Sequence, residues 1–230
     1  MTTDTLTLDK TFERLLQERY SCRGFLSDPV PRATVDRILT LAQRTASWCN
    51  TQPWHVTILG GRAAQRFSKG ITDWAAGGAA VVSDLPFPEA YEGKYLDRRR
   101  ESGFRLYDSV GIPKGDRAAS AKQALENFRL FGAPHVAIVT TDRKLGTYGA
   151  IDCGAYVSNF ILAATALGLA SIPQAAFAHH ADFVRDHLNL PDDRLVVCGI
   201  SFGFEDKTHP ANGFRTRRAG IDEVAEFIDD

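Results

Sequence analysis

Apolar residues recur at helical spacing early in the chain, where Phe12, Leu15 and Leu16 share one face and predict a helix over about 9–19. Val35, Ile38, Leu39 and Ala42 predict a second helix, roughly 32–45, entered through Pro29 and Pro31. A short β-rich run, Val56 to Leu59, follows, and Gly60-Gly61 turns the chain into another helical pattern at 62–75. Residues 135–141 form the clearest buried strand, and 150–167 are apolar nearly all round and end at Gly168, which predicts a central buried helix. Residues 170–176 predict a short strand running into small residues, and 194–203 another strand. Ile221, Val224, Phe227 and Ile228 make a short amphipathic stretch with no obvious core to enter.

Residues 84–131 break this alternation. They are rich in Tyr, Arg and Phe, carry Phe104, Tyr107, Phe128 and Phe131, and predict a helical excursion inserted between strands. Its Arg98-Arg99-Arg100 run lies between Asp97 and Glu101, which favours a solvated helix face over a nucleic-acid contact.

Two stretches carry candidate chemistry. Arg19, Ser21 and Arg23 point the same way if their segment is extended, because strand side chains alternate with period two. Two guanidinium forks and a hydroxyl on one side suit a phosphate, although a solvated basic helix end is the plainer reading of the same residues. The second stretch is Ser47-Trp48-Cys49-Asn50-Thr51-Gln52-Pro53-Trp54, between a helix and a strand. Its amides and hydroxyls, interleaved with tryptophans, could bind a flat heterocycle by its edge; an ordinary polar connection is the alternative.

Composition narrows the classes. The 230 residues suit one domain with ample core, and a net charge of −1 provides no field for nucleic acid or acidic lipid. No apolar run approaches the roughly 18 residues of a membrane span, and Met1 to Thr5 lack signal-peptide character, so a cytoplasmic protein is expected. Cys22, Cys49, Cys153 and Cys198 follow no zinc or disulfide spacing, and no metal is expected at His179-His180. Asp152 and Cys153 are read as helix-end and packing residues. There is no G-x-G-x-x-G. A G-x-S-x-G occurs at Gly199 to Gly203, which keeps a hydrolase using Ser201 as an alternative, but no helix start follows it as the elbow requires.

Four marks occur in a telling order: R-x-S-x-R at Arg19 to Arg23, N-x-Q-P-W at Asn50 to Trp54, Gly-Leu-x-Ser-Ile-Pro-Gln at Gly168 to Gln174, and a basic tail. Together they resemble the FMN-dependent nitroreductase family over nearly the whole chain. The resemblance implies an α+β fold, a single FMN-binding domain over 1–230 with a mixed sheet wrapped by helices, in an intertwined homodimer. It further implies an NAD(P)H oxidoreductase reducing nitroaromatic or quinone-like acceptors by a ping-pong mechanism. Reductive dehalogenation, flavin cleavage or a non-catalytic flavin-binding role are the alternatives.

Carried over by position, the resemblance assigns cofactor contacts to Arg19, Tyr20, Ser21 and Arg23, and to Asn127 and Arg129 at the flavin edge. Pro173, Gln174, Ala175 and Ala176 would lie near N5, and Arg215 and Arg217 would close on the phosphate. Ser47, Trp48, Asn50 and Gln52 would reach the cofactor from the partner chain. Trp48, Phe104, Tyr107, Phe128 and Phe131 would line the site of a small aromatic acceptor. No side chain is expected to act as a nucleophile, and Arg23 is expected to tune the flavin.

Overall fold

The computed structural model describes residues 7–229; the Met1–Thr5 stretch lies outside them. Among the described residues are helices α1 (Leu8–Glu18), α2 (Arg32–Ala42), α3 (Gly61–Ala76), α4 (Gly93–Ser109), α5 (Arg117–Leu125), α6 (Gly146–Ala166) and α7 (Ala181–Leu188). The strands are β1 (His55–Gly60), β2 (His135–Asp142), β3 (Ala170–Gln174) and β4 (Arg194–Gly203). They form one sheet in the order β1-β2-β4-β3, and every pair is antiparallel. The parallel component of the expected mixed sheet is confined to isolated bridges, Ser21 with Ser171 at the β3 edge and Val82 with His180.

Strand β2 reads as a continuous apolar run because both faces of the sheet are covered. Val136 and Ile138 enter one core with Phe67, Ile71, Phe177 and Val184, while Ala137 and Val139 enter the other with Ile38, Tyr156, Phe160 and Phe202. Successive side chains point to opposite faces, so both parities of β2 must be apolar. Helix α6 lies in the second core and buries Tyr156 and Phe160.

The structure departs from the sequence pattern at several ends. Helix α2 stops at Ala42 rather than near Thr45, and Thr45 instead folds its hydroxyl back onto the Ala42 carbonyl at 2.7 Å. Strand β3 ends at Gln174, and Ala175–His179 coil into 3-10 turns. Helix α7 was not legible. At 8 residues it is too short for a periodic signal, yet it buries Ala181 and Val184. The tail's expected amphipathic stretch is only a single 3-10 turn, Ile221–Glu223, with Val224, Phe227 and Ile228 exposed.

Residues 84–131 contain α4 and α5. Neither helix contains a buried residue, so both lie on the surface, whereas Phe128, Leu130 and Phe131 at the end of the segment enter the first core.

Candidate cofactor site

After α1, the chain runs extended beside β3. The Cys22 N–H donates to the Ser171 carbonyl at 3.1 Å, and this pairing fixes the alternation of Arg19, Ser21 and Arg23. All three line one cavity of about 440 Å³, together with Leu16, Gln17, Tyr20, Ser102 of α4, Phe214, Arg215, Thr216 and Arg218. Four of these residues are arginines and none is a carboxylate.

The arginines are held by uncharged partners. Arg23 Nη1 donates to the Ser21 carbonyl at 3.1 Å, and Arg215 Nη1 to the carbonyls of Asn212 at 2.8 Å and Phe214 at 2.9 Å. Burial lowers the pKa of Arg19, and the nearby Arg218 charge lowers it further. Burial also lowers that of Arg23. Both shifts mean that cationic groups have lost water without gaining a counter-charge. A phosphate dianion would supply that charge through charge-assisted, bidentate hydrogen bonds. The cavity also lies within the size range of small-molecule sites.

Tyr20 forms part of the wall. Its hydroxyl donates to Glu205, and Arg215 stacks over its ring with the guanidinium carbon 3.6 Å from the centroid. Burial and the Glu205 bond push the Tyr20 pKa well above its ordinary value, so its hydroxyl stays protonated.

A second cavity of about 370 Å³ begins at Arg23, which lines both. Its other walls are Val110, Ile112, Ala119, Lys122, Gln123, Glu126, Phe131, His209 and Pro210. A ligand with a phosphate in the first cavity and a polar ring in the second would pass Arg23.

The remaining expected residues are scattered. Gln174 is 3% exposed and turns its amide inward: Oε1 accepts from the Ser201 hydroxyl at 2.5 Å, and Nε2 donates to the Asn127 carbonyl at 2.8 Å. Gln174 therefore braces Asn127, which sits half-buried beside the second cavity's Glu126. Arg129 pairs with Glu126 at 2.5 Å and lines a separate cavity with Ser27, Pro29 and Gly61, away from Arg23. Arg217 is also displaced from its expected place. It lies 3.6 Å from Glu101, and Arg218 lines the phosphate-sized cavity instead.

Among the expected acceptor aromatics, Phe131 reaches the second cavity. Phe128 belongs to the core, edge-on to Phe177 and His180, because its ring is needed to close the sheet's first face. Phe104 is exposed beneath Lys114, and Tyr107 lines neither cavity.

The loop at 47–52 stands apart from both cavities of its own chain. Three of its residues, Cys49, Asn50 and Gln52, have positive φ, which side chains adopt only when the surroundings compel it. Hydrogen bonds provide the compulsion: Gln43 to Gln52 at 2.8 Å, Gln52 N–H to Ser47 Oγ at 2.9 Å, and Trp48 N–H to Asp152 Oδ2 at 3.0 Å. Asp152 is thus a loop anchor. Trp48 is 63% exposed and touches Tyr148 of α6.

The hydrolase alternative fails on packing. Ser201 is fully buried within β4 and spends its hydroxyl on Gln174. The glycines of G-x-S-x-G have steric reasons: a side chain at Gly199 would collide with Phe177, and one at Gly203 with Pro134. Among the described residues, no group of three His, Cys, Asp or Glu could hold a metal ion, and no helix is long and apolar enough to cross a membrane.

Fold and site define an α+β protein with an arginine-lined, carboxylate-free cavity at the edge of its sheet. The nitroreductase family model matches residues 16–204, and the chain belongs to the nitroreductase family. It is 37% identical over 224 residues to nitroreductase NfnB of Mycolicibacterium smegmatis, covering 97% of this chain and 95% of the relative. A 4-nitrobenzoate reductase of Nocardioides sp. is 33% identical over 223 residues, covering 95% and 90%. Among solved structures, the FMN-dependent nitroreductase NfnB from Mycobacterium smegmatis in complex with NADPH superposes with a TM-score of 0.92 at 36% identity, over 97% of this chain and all of that one.

Proposed function

We propose that this protein binds FMN in the arginine-lined cavity and uses NADPH to reduce nitroaromatic or quinone-like acceptors, donor and acceptor taking turns at one site. The observation that carries the reading is the convergence of Arg19, Arg23, Arg215 and Arg218 on one cavity without a carboxylate. The relatives support it: two of the similar structures are of nitroreductases described as FMN-dependent, one of them in complex with NADPH and the other NADPH-dependent. When bound, FMN supplies the two-electron chemistry that no side chain of the site provides.

The chain's own residues bind and orient. Arg19, Arg215 and Arg218 hold the phosphate, and the Ser21 hydroxyl takes the adjoining sugar alcohol. Arg23 places a fixed cation where the ring passes from one cavity to the next, and a guanidinium stays protonated at any working pH. Asn127, braced by Gln174, offers an amide to the ring's edge. The backbone of Ala175 and Ala176, just beyond β3, would lie beside the ring.

The homodimer belongs to the same proposal. Phe12, Leu16, Trp48, Tyr148, Ile151, Ile221, Val224 and Phe227 are exposed in the single chain. So much apolar surface on separate elements marks a protein interface. A second copy would bury it and bring Ser47, Trp48, Asn50 and Gln52 to the partner's cofactor.

A visible spectrum of the purified protein tests the cofactor, and anaerobic bleaching by NADPH followed by reoxidation with a nitroarene tests the turnover. Flavin bands, bleaching and recovery are expected. A protein that stays colourless with excess FMN would overturn the proposal. Sedimentation below micromolar concentration should show a dimer of more than about 2,000 Å² interface; an active, FMN-loaded monomer would remove that part.

A further inference from the structure

The cationic cavity has two limbs from opposite ends of the chain: the segment with Arg19, Ser21 and Arg23, and the segment with Arg215 and Arg218. We infer that Asn212, a buried residue outside the cavity lining, is the positioning residue that sets the two limbs in register and thereby makes the site selective for a phosphorylated ligand. The inference rests on the cofactor reading above.

Asn212 is 5% exposed and every strong donor of its amide is used. Its Oδ1 accepts from the Arg23 N–H at 2.7 Å. Its Nδ2 donates to the Gly24 carbonyl and to the Asp206 carbonyl, each at 2.9 Å. Its own carbonyl accepts from Arg215 Nη1 at 2.8 Å. One residue is therefore bonded directly to an arginine of each limb.

The joint is closed sterically as well. Gly24 lies against the His209 ring, where any side chain at position 24 would collide with it, and His209 accepts the Ala211 N–H with its ring at 3.3 Å. The Asp206 N–H returns a bond to the Gly24 carbonyl at 3.0 Å. The first limb thus approaches the turn at 206–212 as closely as backbone allows, and Asn212 is the side chain that fills the contact with polar atoms. Only an amide offers the needed pattern of one acceptor and two donors. Asp in its place would present acceptors to two carbonyl oxygens, and Ala would take their side-chain partner from the Arg23 N–H and the Asp206 carbonyl and leave the Gly24 carbonyl with the Asp206 N–H alone.

The chemistry that depends on the joint is specific. Arg19 of the first limb and Arg215 of the second act together on a phosphate only if their separation matches the anion, whereas a ring beside Arg23 rests on the first limb alone. Loss of Asn212 should therefore weaken a phosphorylated flavin far more than its dephosphorylated parent.

The test uses the full chain stripped of flavin and titrated with FMN and with riboflavin, for the parent, Asn212→Ala and Asn212→Asp. The parent should prefer FMN by about 100-fold, the scale of a few charge-assisted hydrogen bonds. In both variants that preference should fall by about tenfold or more, while the riboflavin Kd stays within about twofold. A general loosening of the fold would weaken both ligands together. A preference unchanged in folded Asn212→Ala would overturn the inference alone; a parent that does not prefer FMN would overturn the cofactor reading itself. Should the variants fail to fold, hydrogen exchange on the parent decides. Inorganic phosphate should slow exchange in residues 19–25 and 206–215 together, and protection of one segment without the other would overturn the coupling.

Discussion

Arg215 lays its guanidinium carbon 3.6 Å from the centroid of the Tyr20 ring, and the hydroxyl of the same tyrosine is anchored on Glu205. The ring is thus a shelf that keeps the arginine over the cavity. A cation–π contact of this kind contributes about 0.5–2 kcal/mol. Tyr20→Leu should therefore raise the FMN Kd roughly 2- to 30-fold. Tyr20→Phe, which keeps the shelf, should retain most of the affinity. Fluorescence titration of both variants checks this, and equal losses in the two would assign the effect to the hydroxyl instead.

Arg19→Ala removes a half-buried cation from the phosphate end. The expected cost is about 1.5–3 kcal/mol, or roughly 10- to 150-fold in FMN affinity. The variant should purify pale and recover its colour with excess FMN. Arg218→Ala should also weaken binding, whereas Arg217→Ala, whose side chain is 78% exposed beside Glu101, should leave the Kd within about twofold. Reversed ranks for these two arginines would place the phosphate elsewhere.

Ser201→Ala deletes the donor to Gln174 Oε1 in a fully buried position. Denaturant unfolding should show a loss of about 1–3 kcal/mol, the penalty for a buried acceptor left unpaired. Esterase substrates should be untouched by the parent and the variant alike. Measurable hydrolysis that depends on Ser201 would reopen the hydrolase reading.

His135 makes stability fall in acid. Its Nε2 accepts the Val30 N–H at 3.0 Å, and burial lowers its pKa from the ordinary 6.5. Burial lowers those of His179 and His180 as well. The unfolded chain then binds more protons than the folded one, so the stabilisation is complete above about pH 6.5 and is lost as pH drops below it. Thermal midpoints should decline from pH 7 to pH 5, and His135→Gln should flatten part of that slope while lowering the plateau. A parallel slope in the variant would exclude His135 as a contributor.

Local pattern made the strands and one limb of the arginine-lined cavity legible. Strand β2 and helix α6 announced themselves because burial on every side demands unbroken apolar residues. Arg19, Ser21 and Arg23 could be aligned from alternation alone, since an extended segment fixes which side chains agree. Asn212, Glu205 and Arg218 could not be found that way. The Asn212 amide matters because it meets Arg23, 189 residues earlier in the chain, and no local spacing encodes that contact. Phe128 was misplaced for the complementary reason: an aromatic in an irregular segment looks the same whether it faces a ligand or the core. The G-x-S-x-G misled because its glycines answer to Phe177 and Pro134, two neighbours that only the fold supplies.

The excursion has a property that bears on how such proteins diversify. Helices α4 and α5 border both cavities through Ser102, Ala119, Lys122 and Gln123, yet contribute no buried side chain of their own. Its ties to the body are polar and few near the tail, such as Arg98 to Glu223 and Arg105 to the Arg215 carbonyl. Mutational tolerance and chemical selectivity therefore coincide in one segment. Laboratory recombination could exchange 93–124 between homologues, or saturate its inward positions, with the buried core residues Phe128, Leu130 and Phe131 beyond it left intact.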